Sequence, residues 1–277
     1  MNLYSLPPLI SALFFLILGV YVFLRKKVTP NLNFTFQCLT TFWWQFCWFI
    51  LFNIKSPALA SIMVKIGYSG IIFIPPTFFN FYVSFFDDKK LQRWANFYLF
   101  LGVSFLPILW GTNFFINGFY KYFWGYYPKA NLFHLVFLAY LTGVALHCFY
   151  VLFKQGFAIK WKDQQGNQIK YLASSLFFYT FASLDFLVNW GIGFYPLGFI
   201  FITISSGIVT YAIAKEHLFD IDLATHYIFT WFFSLATAAA LLLITLLTSL
   251  IIFSDRITQL IFGTTLEIGR ASCRERV

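Results

Sequence analysis

The chain has 277 residues, 60% of them hydrophobic and only 10% charged, with a mean hydropathy of +0.75. Soluble domains carry about 25% charged residues, so a water-soluble core is excluded. The formal net charge of +9 is read as topogenic: basic loops stay on the cytoplasmic side, and no basic face offers room for a nucleic-acid duplex.

Eight apolar stretches follow one another along the chain: Leu6–Leu24, Phe34–Ile54, Ile66–Phe86, Trp94–Phe115, Leu132–Phe153, Tyr171–Trp190, Tyr195–Ala214 and Tyr227–Phe253. At ~1.5 Å rise per residue each is long enough to cross a hydrocarbon core of ~30 Å. The expected fold is an all-α bundle of about eight spans in a lipid bilayer. The first stretch lacks a preceding basic region and a small-residue cleavage site, and ends in Arg25-Lys26-Lys27. It is therefore read as a retained helix. Pro75-Pro76 in the third stretch and Pro107 in the fourth are expected to kink their helices, because proline frees a carbonyl that neighbours must satisfy.

Lys and Arg set the orientation. With the N-terminus outside, segments 25–33, 87–93, 154–170 and 215–226 face inward and hold eleven basic residues, against five on the outer side. That excess favours an outside N-terminus. Cys38, Cys47 and Cys148 lie in spans and read as small apolar filler.

Polar groups at membrane depth are the natural candidates for a site. Asp185 holds the only carboxylate in any of the eight stretches. Asn189 lies one helical turn further on, and Trp190 closes the same stretch. The loop Phe114–Pro128 carries nine aromatics in fifteen residues, including Trp124 and Tyr126. It reads either as an interfacial belt or as a lid over an outward-facing ligand pocket. Asp185, Asn189, Trp190, Trp124 and Tyr126 are the candidate ligand-binding residues, for an unidentified small molecule or lipid. Gln37, Thr41 and Gln45 share one face of the second stretch and suit interhelical hydrogen bonding, as does Asn80. His134 and His147, toward the two ends of the fifth stretch, read as satisfied polar contacts. The segment Lys215–His226, with His217, Asp220, Asp222 and His226, lacks metal-ligand spacing. Neither a metal nor a cofactor is expected, and the sequence contains no P-loop, GxSxG, HExxH or GxGxxG context.

Residues 168–222 contain a set of specific elements: Gln168-Ile169-Lys170-Tyr171 at the start, then Gly191-Ile192, Tyr195-Pro196-Leu197-Gly198, Tyr211-Ala212-Ile213 and Leu218-Phe219-Asp220-Ile221-Asp222. This run resembles the N-terminal seven-transmembrane region of bacterial sensor histidine kinases. Asp185 stands at a polar position of that pattern and His217 where a basic residue is usual. The resemblance implies a non-catalytic sensory input region in the bacterial cytoplasmic membrane, with an output domain in cis and a homodimeric assembly. It makes Leu218, Phe219, Asp220 and Asp222 candidates for coupling the signal onward. The alternative is a small secondary transporter, which inverted repeats and matched discontinuous helices would favour.

The expected organisation is a sensor domain over 1–222 and an eighth helix with the start of a connector over 223–266. The last eleven residues, EIGRASCRERV, resemble a translated sequencing adapter, so 267–277 are expected to be non-native and the natural frame to be cut near Leu266.

Overall fold

The computed structural model describes residues 2–24, 28–86, 88–158 and 164–216, and 81% of these are helical. A short 3-10 turn at Leu3–Ser5 leads into α1 (Leu6–Phe23). Then come α2 (Thr29–Asn53), α3 (Pro57–Ile71), α4 (Ile74–Val83) and α5 (Lys89–Gly111). A hairpin of β1 (Ile116–Tyr122) and β2 (Gly125–Ala130) follows, then α6 (Leu132–Ala158), α7 (Gln164–Phe181), a 3-10 segment (Ala182–Trp190) and α8 (Gly198–Glu216).

Helix starts are written in the sequence. Prolines occupy the first turn of α1, α2, α3 and α4, where the missing N–H has no intrahelical partner to lose and the fixed φ is already helical. Asp88 caps α5 by accepting a hydrogen bond from Lys90 N at 2.7 Å, which satisfies one of the helix's unpaired donors. Pro75-Pro76 separates α3 from α4 at Ile72-Phe73, as expected, whereas α5 runs through Pro107 without a break.

Among the described residues five helices are long and apolar enough to cross a membrane: Leu3–Phe23, Pro57–Val83, Lys89–Gly111, Leu132–Ala158 and Gln165–Trp190; Gly198–Ala212 is a shorter apolar helix. Together they make this a multi-pass membrane protein. At 25 residues α2 has the length, but its Gln, Asn and Thr content makes it more polar. It is the central helix, packed against α1, α3, α4 and β2. The eighth expected stretch, Tyr227–Phe253, and the segments 223–266 and 267–277 lie outside the described residues.

Three expectations need correcting. The third crossing begins at Pro57 rather than Ile66, so Lys65 belongs to a helix and not to a loop. The fourth begins at Lys89 and stops at Gly111, because Thr112 and Asn113 end the helix and the aromatic run beyond it has the alternation of a strand. That run folds as an antiparallel hairpin about Phe123-Trp124, with Tyr122 opposite Gly125 and a bulge between Ile116 and Phe119. The fold is therefore helical with one hairpin rather than all-α.

Polar side chains inside the bundle mostly join helices. Thr41 Oγ1 and Tyr179 Oη lie 2.8 Å apart, linking α2 to α7. Thr40 and Thr77 hydroxyls are 3.2 Å apart between α2 and α4, Tyr82 and Ser175 2.8 Å apart between α4 and α7, and Tyr98 and His147 2.8 Å apart between α5 and α6. Such pairs hold membrane helices in register where lipid offers no competing partner.

Candidate functional site

The sixth crossing starts as α7 and changes character at Ala182, where it tightens into nine residues of 3-10 helix. Runs of 3-10 beyond 3–4 residues are uncommon, and inside a longer helix they often mark a hinge. The segment ends at Gly191, whose φ of 91° is the left-handed conformation that glycine adopts without a Cβ penalty.

Each turn of this segment faces a different neighbour. Asp185 turns toward α8: its Oδ1 accepts hydrogen bonds from Leu197 N at 2.9 Å and Gly198 N at 2.8 Å. The carboxylate thus sits on the N-terminus of α8, where the unpaired amides and the helix dipole favour negative charge. Gly198 is needed there. A Cβ at that position would come within 2.8 Å of the Asp185 carboxyl carbon and 3.2 Å of the Ala182 carbonyl.

Asn189 turns into the bundle and is buried. Its Nδ2 donates to Tyr68 Oη, and Tyr68 Oη lies 2.9 Å from His134 Nε2. With the phenol accepting from the amide, its own proton is free to reach His134 Nε2, which selects the tautomer protonated on Nδ1. His134 Nδ1 and Asn189 Oδ1 then have no partner among the described residues. Both His134 and Tyr68 are fully buried, and the rings of Phe115, Phe137 and Phe186 stand around the imidazole at 5.5–5.8 Å. Leaving a buried group of this kind unpaired costs about 1–3 kcal/mol, so the bonds that Tyr68 makes to Asn189 and His134 fix the three side chains together.

The hairpin covers the same region. Tyr122 Oη donates to Val188 O at 2.9 Å and Tyr127 Oη to Asp185 O at 3.4 Å, so two strand tyrosines grip the backbone of the 3-10 segment. Burial holds the phenol of Tyr127 well above the ordinary tyrosine range, and the nearby Asp185 carboxylate adds to the effect. Trp124 is fully buried. It stacks on Tyr122 at 4.5 Å and stands edge-on to Tyr195 at 5.9 Å, and its carbonyl accepts from Asn2 Nδ2 at 2.6 Å. Tyr126 packs against Phe119 and donates to Lys55 O at 3.2 Å.

The five candidate residues therefore fall into two groups. Asp185 and Asn189 share the 3-10 segment but diverge, one to α8 and one to the polar cluster, because the tighter helix rotates residues four apart away from a common face. Trp190, more than a third exposed, lies at the rim with its ring 6.1 Å from His134. Trp124 and Tyr126 belong to the hairpin, whose aromatics fill the end of the bundle with side chains. Leu218, Phe219, Asp220 and Asp222 lie outside the described residues. Tyr68 was not singled out in the sequence. The available signal was a tyrosine in the middle of an apolar crossing, whose hydroxyl must find a partner once buried.

A recess of about 240 Å³ lies on the opposite side of the 3-10 segment, between α4, α6 and α7. Its walls include Pro75, Phe78, Ala145, Tyr179, Ser183 and Phe186, and none of its lining residues comes from the hairpin. Phe186 is shared: it borders the recess and also meets His134 edge-to-face at 5.5 Å.

Neither a curated protein nor a solved structure matches the chain. A family model described as the N-terminal 7TM region of histidine kinase matches residues 7–222, which takes in α1 from its second residue, α2 to α8 and the hairpin between them. The chain belongs to that family of membrane sensor regions.

Proposed function

We propose that this chain is the signal-input part of a histidine kinase-type sensor in the bacterial cytoplasmic membrane, with its N-terminus outside and residues 215–226 on the cytoplasmic side. The observation that carries the reading is the 3-10 segment Ala182–Trp190. It is tied to α8 through Asp185, to the buried Tyr68–His134 pair through Asn189, and to the hairpin through Tyr122 and Tyr127. A stimulus that shifts the hairpin or the cluster moves the N-terminus of α8 with it. The far end of α8 leads toward Leu218–Asp222 and an output domain in cis, in a homodimer. A tight 3-10 coil and a relaxed α-helical turn are two discrete arrangements of the same residues, which is what a two-state switch needs. Asp185, Asn189, Trp190, Trp124 and Tyr126 are on this reading the residues that sense and relay rather than catalyse.

Autophosphorylation of the native-length protein in membranes tests the proposal. Asp185→Ala and Asn189→Ala are expected to shift the ratio of basal to stimulated phosphorylation by about tenfold, equivalent to ~1.4 kcal/mol of switch bias. Wild-type ratios in both variants, at wild-type expression, would sink it. A reporter fused after Lys162 tests the orientation: cytoplasmic activity is expected, and extracytoplasmic activity overturns the outside N-terminus.

A further inference from the structure

We infer that the recess beside the 3-10 segment binds a single acyl chain of a bilayer lipid, which enters sideways between α6 and the 3-10 turn. The inference deepens the sensor reading and rests on it only for the consequence of binding, not for the binding itself.

Two backbone features make the recess. The break at Ile72-Phe73, imposed by Pro75-Pro76, offsets α4 from α3 and leaves Ile71, Ile74 and Phe78 as one wall. Opposite them, the change from α to 3-10 at Ala182 narrows the coil, so α6 and the sixth crossing do not close against each other there. At about 240 Å³ the space exceeds the roughly 150 Å³ apolar cavity that admits benzene, so it takes a stretch of hydrocarbon chain.

Position and chemistry select the occupant. Thr142, Leu146 and Ser183 border the recess and are exposed on the outside of the bundle. Ala145 is the middle residue of α6, one of the five membrane-length helices. The mouth therefore opens at the depth of the lipid tails, where acyl chains are the species at hand. Two of the hydroxyls near it are already used, Ser183 Oγ donating to Thr180 O and Thr180 Oγ1 to Phe177 O, each at 2.7 Å, and that of Thr142 lies at the exposed rim. Deeper in, Tyr179 is tied to Thr41. The rest of the lining is almost wholly aliphatic and aromatic. A polar headgroup or a carboxylate finds nothing there to replace its hydration, whereas a hydrocarbon chain leaves no group unpaired. An occupying chain rests on Phe186, the ring that also abuts His134, so its presence is felt by the cluster that holds Asn189.

Photo-crosslinking tests the inference. The chain is reconstituted in nanodiscs of phosphatidylcholine doped with a phosphatidylcholine that carries a diazirine along one acyl chain, and the labelled peptides are mapped. Labelling is expected to concentrate in 141–149 and 179–186, about tenfold above the bilayer-facing side of α5 around Phe100. Ala145→Trp, which fills the recess, is expected to remove that excess and leave the α5 labelling unchanged. Ser183→Phe, which blocks the mouth from an exposed position, is expected to do the same and serves where the tryptophan variant does not fold. Uniform labelling of the recess and the α5 surface in the wild-type chain means only annular lipid is present and overturns the proposal. Excess labelling that survives both variants in folded protein overturns it as well. A null crosslinking result alongside an altered phosphorylation ratio in Asp185→Ala would end the acyl-chain site and leave the sensor reading standing.

Discussion

The two sides of the segment Ala182–Trp190 are built on opposite principles. Toward the hairpin, α8 and α3, hydrogen bonds hold it: the Asp185 carboxylate on two amides, Tyr122 and Tyr127 on backbone carbonyls, and Asn189 on Tyr68. Toward α6 and α4, the same segment meets an apolar recess in which Thr180 and Ser183 donate to backbone carbonyls of the same crossing and Tyr179 pairs with Thr41. In a bilayer this difference is mechanical. Directional contacts fix position, because a buried donor without its acceptor is costly; apolar contacts let neighbours slide, because lipid tails replace them at little cost. A segment held on one side and loose on the other is suited to transmit motion from the loose side to α8.

Four expected outcomes break or sharpen that contrast. The largest is Gly198→Val, which drives a branched side chain into the Asp185 carboxylate. Overpacking of this kind costs about 3 kcal/mol, read as a lowered Tm of the detergent-solubilised chain; an unchanged Tm would mean that the directional side is itself loose. Next is Tyr68→Phe, which removes the hydroxyl shared by His134 Nε2 and Asn189 Nδ2 and leaves them only their long 3.5 Å contact with each other, at a cost of about 2 kcal/mol. The third is a single link away from the segment, Thr41→Val, which removes the hydroxyl that meets Tyr179. Interhelical hydrogen bonds in membranes average about 0.6 kcal/mol, so this variant is expected to fall well below Tyr68→Phe in the same assay. Equal losses would erase the distinction between the cluster and ordinary helix links.

The last concerns pH. Tyr127 lies on the hairpin, outside the crossings, and burial raises it above the ordinary value of 10.0. A raised folded-state pKa means that the folded state holds its proton more tightly. The stabilisation is complete below pH 10 and declines as pH rises beyond it, when the unfolded chain ionises first. Tm of the solubilised chain is expected to be level from neutral pH to about 10 and to fall above it. Tyr127→Phe is expected to flatten that alkaline decline, and an unchanged slope would place the effect elsewhere.

Much of the architecture is legible in the chain. Apolar runs of membrane length, the proline-marked helix starts and the break at Pro75-Pro76 all appear where hydropathy and proline chemistry put them. Boundaries were less secure. Lys65 sits inside α3, with its side chain reaching the Trp110 carbonyl at 3.5 Å, where a residue-by-residue hydropathy reading counts a loop charge. The hairpin was hidden because aromatic residues suit an interfacial belt and a strand equally well. At the site, Asp185 and Asn189 stood out as polar residues at membrane depth. Tyr68 and Phe186 did not, since one tyrosine and one phenylalanine among so many carry no local signal.

Sequence by itself determined that lipid surrounds this polypeptide and that Asp185 holds the single carboxylate in its apolar stretches, because both follow from composition counted along a line. Only the tertiary structure decided that Asp185 holds the N-terminus of α8, that Asn189 completes a pair formed by Tyr68 and His134, and that a recess opens behind Phe186. These are relations between residues 12 to 121 positions apart. No local pattern specifies them: they depend on where a 3-10 coil ends and how far one proline-broken helix is offset from its neighbours.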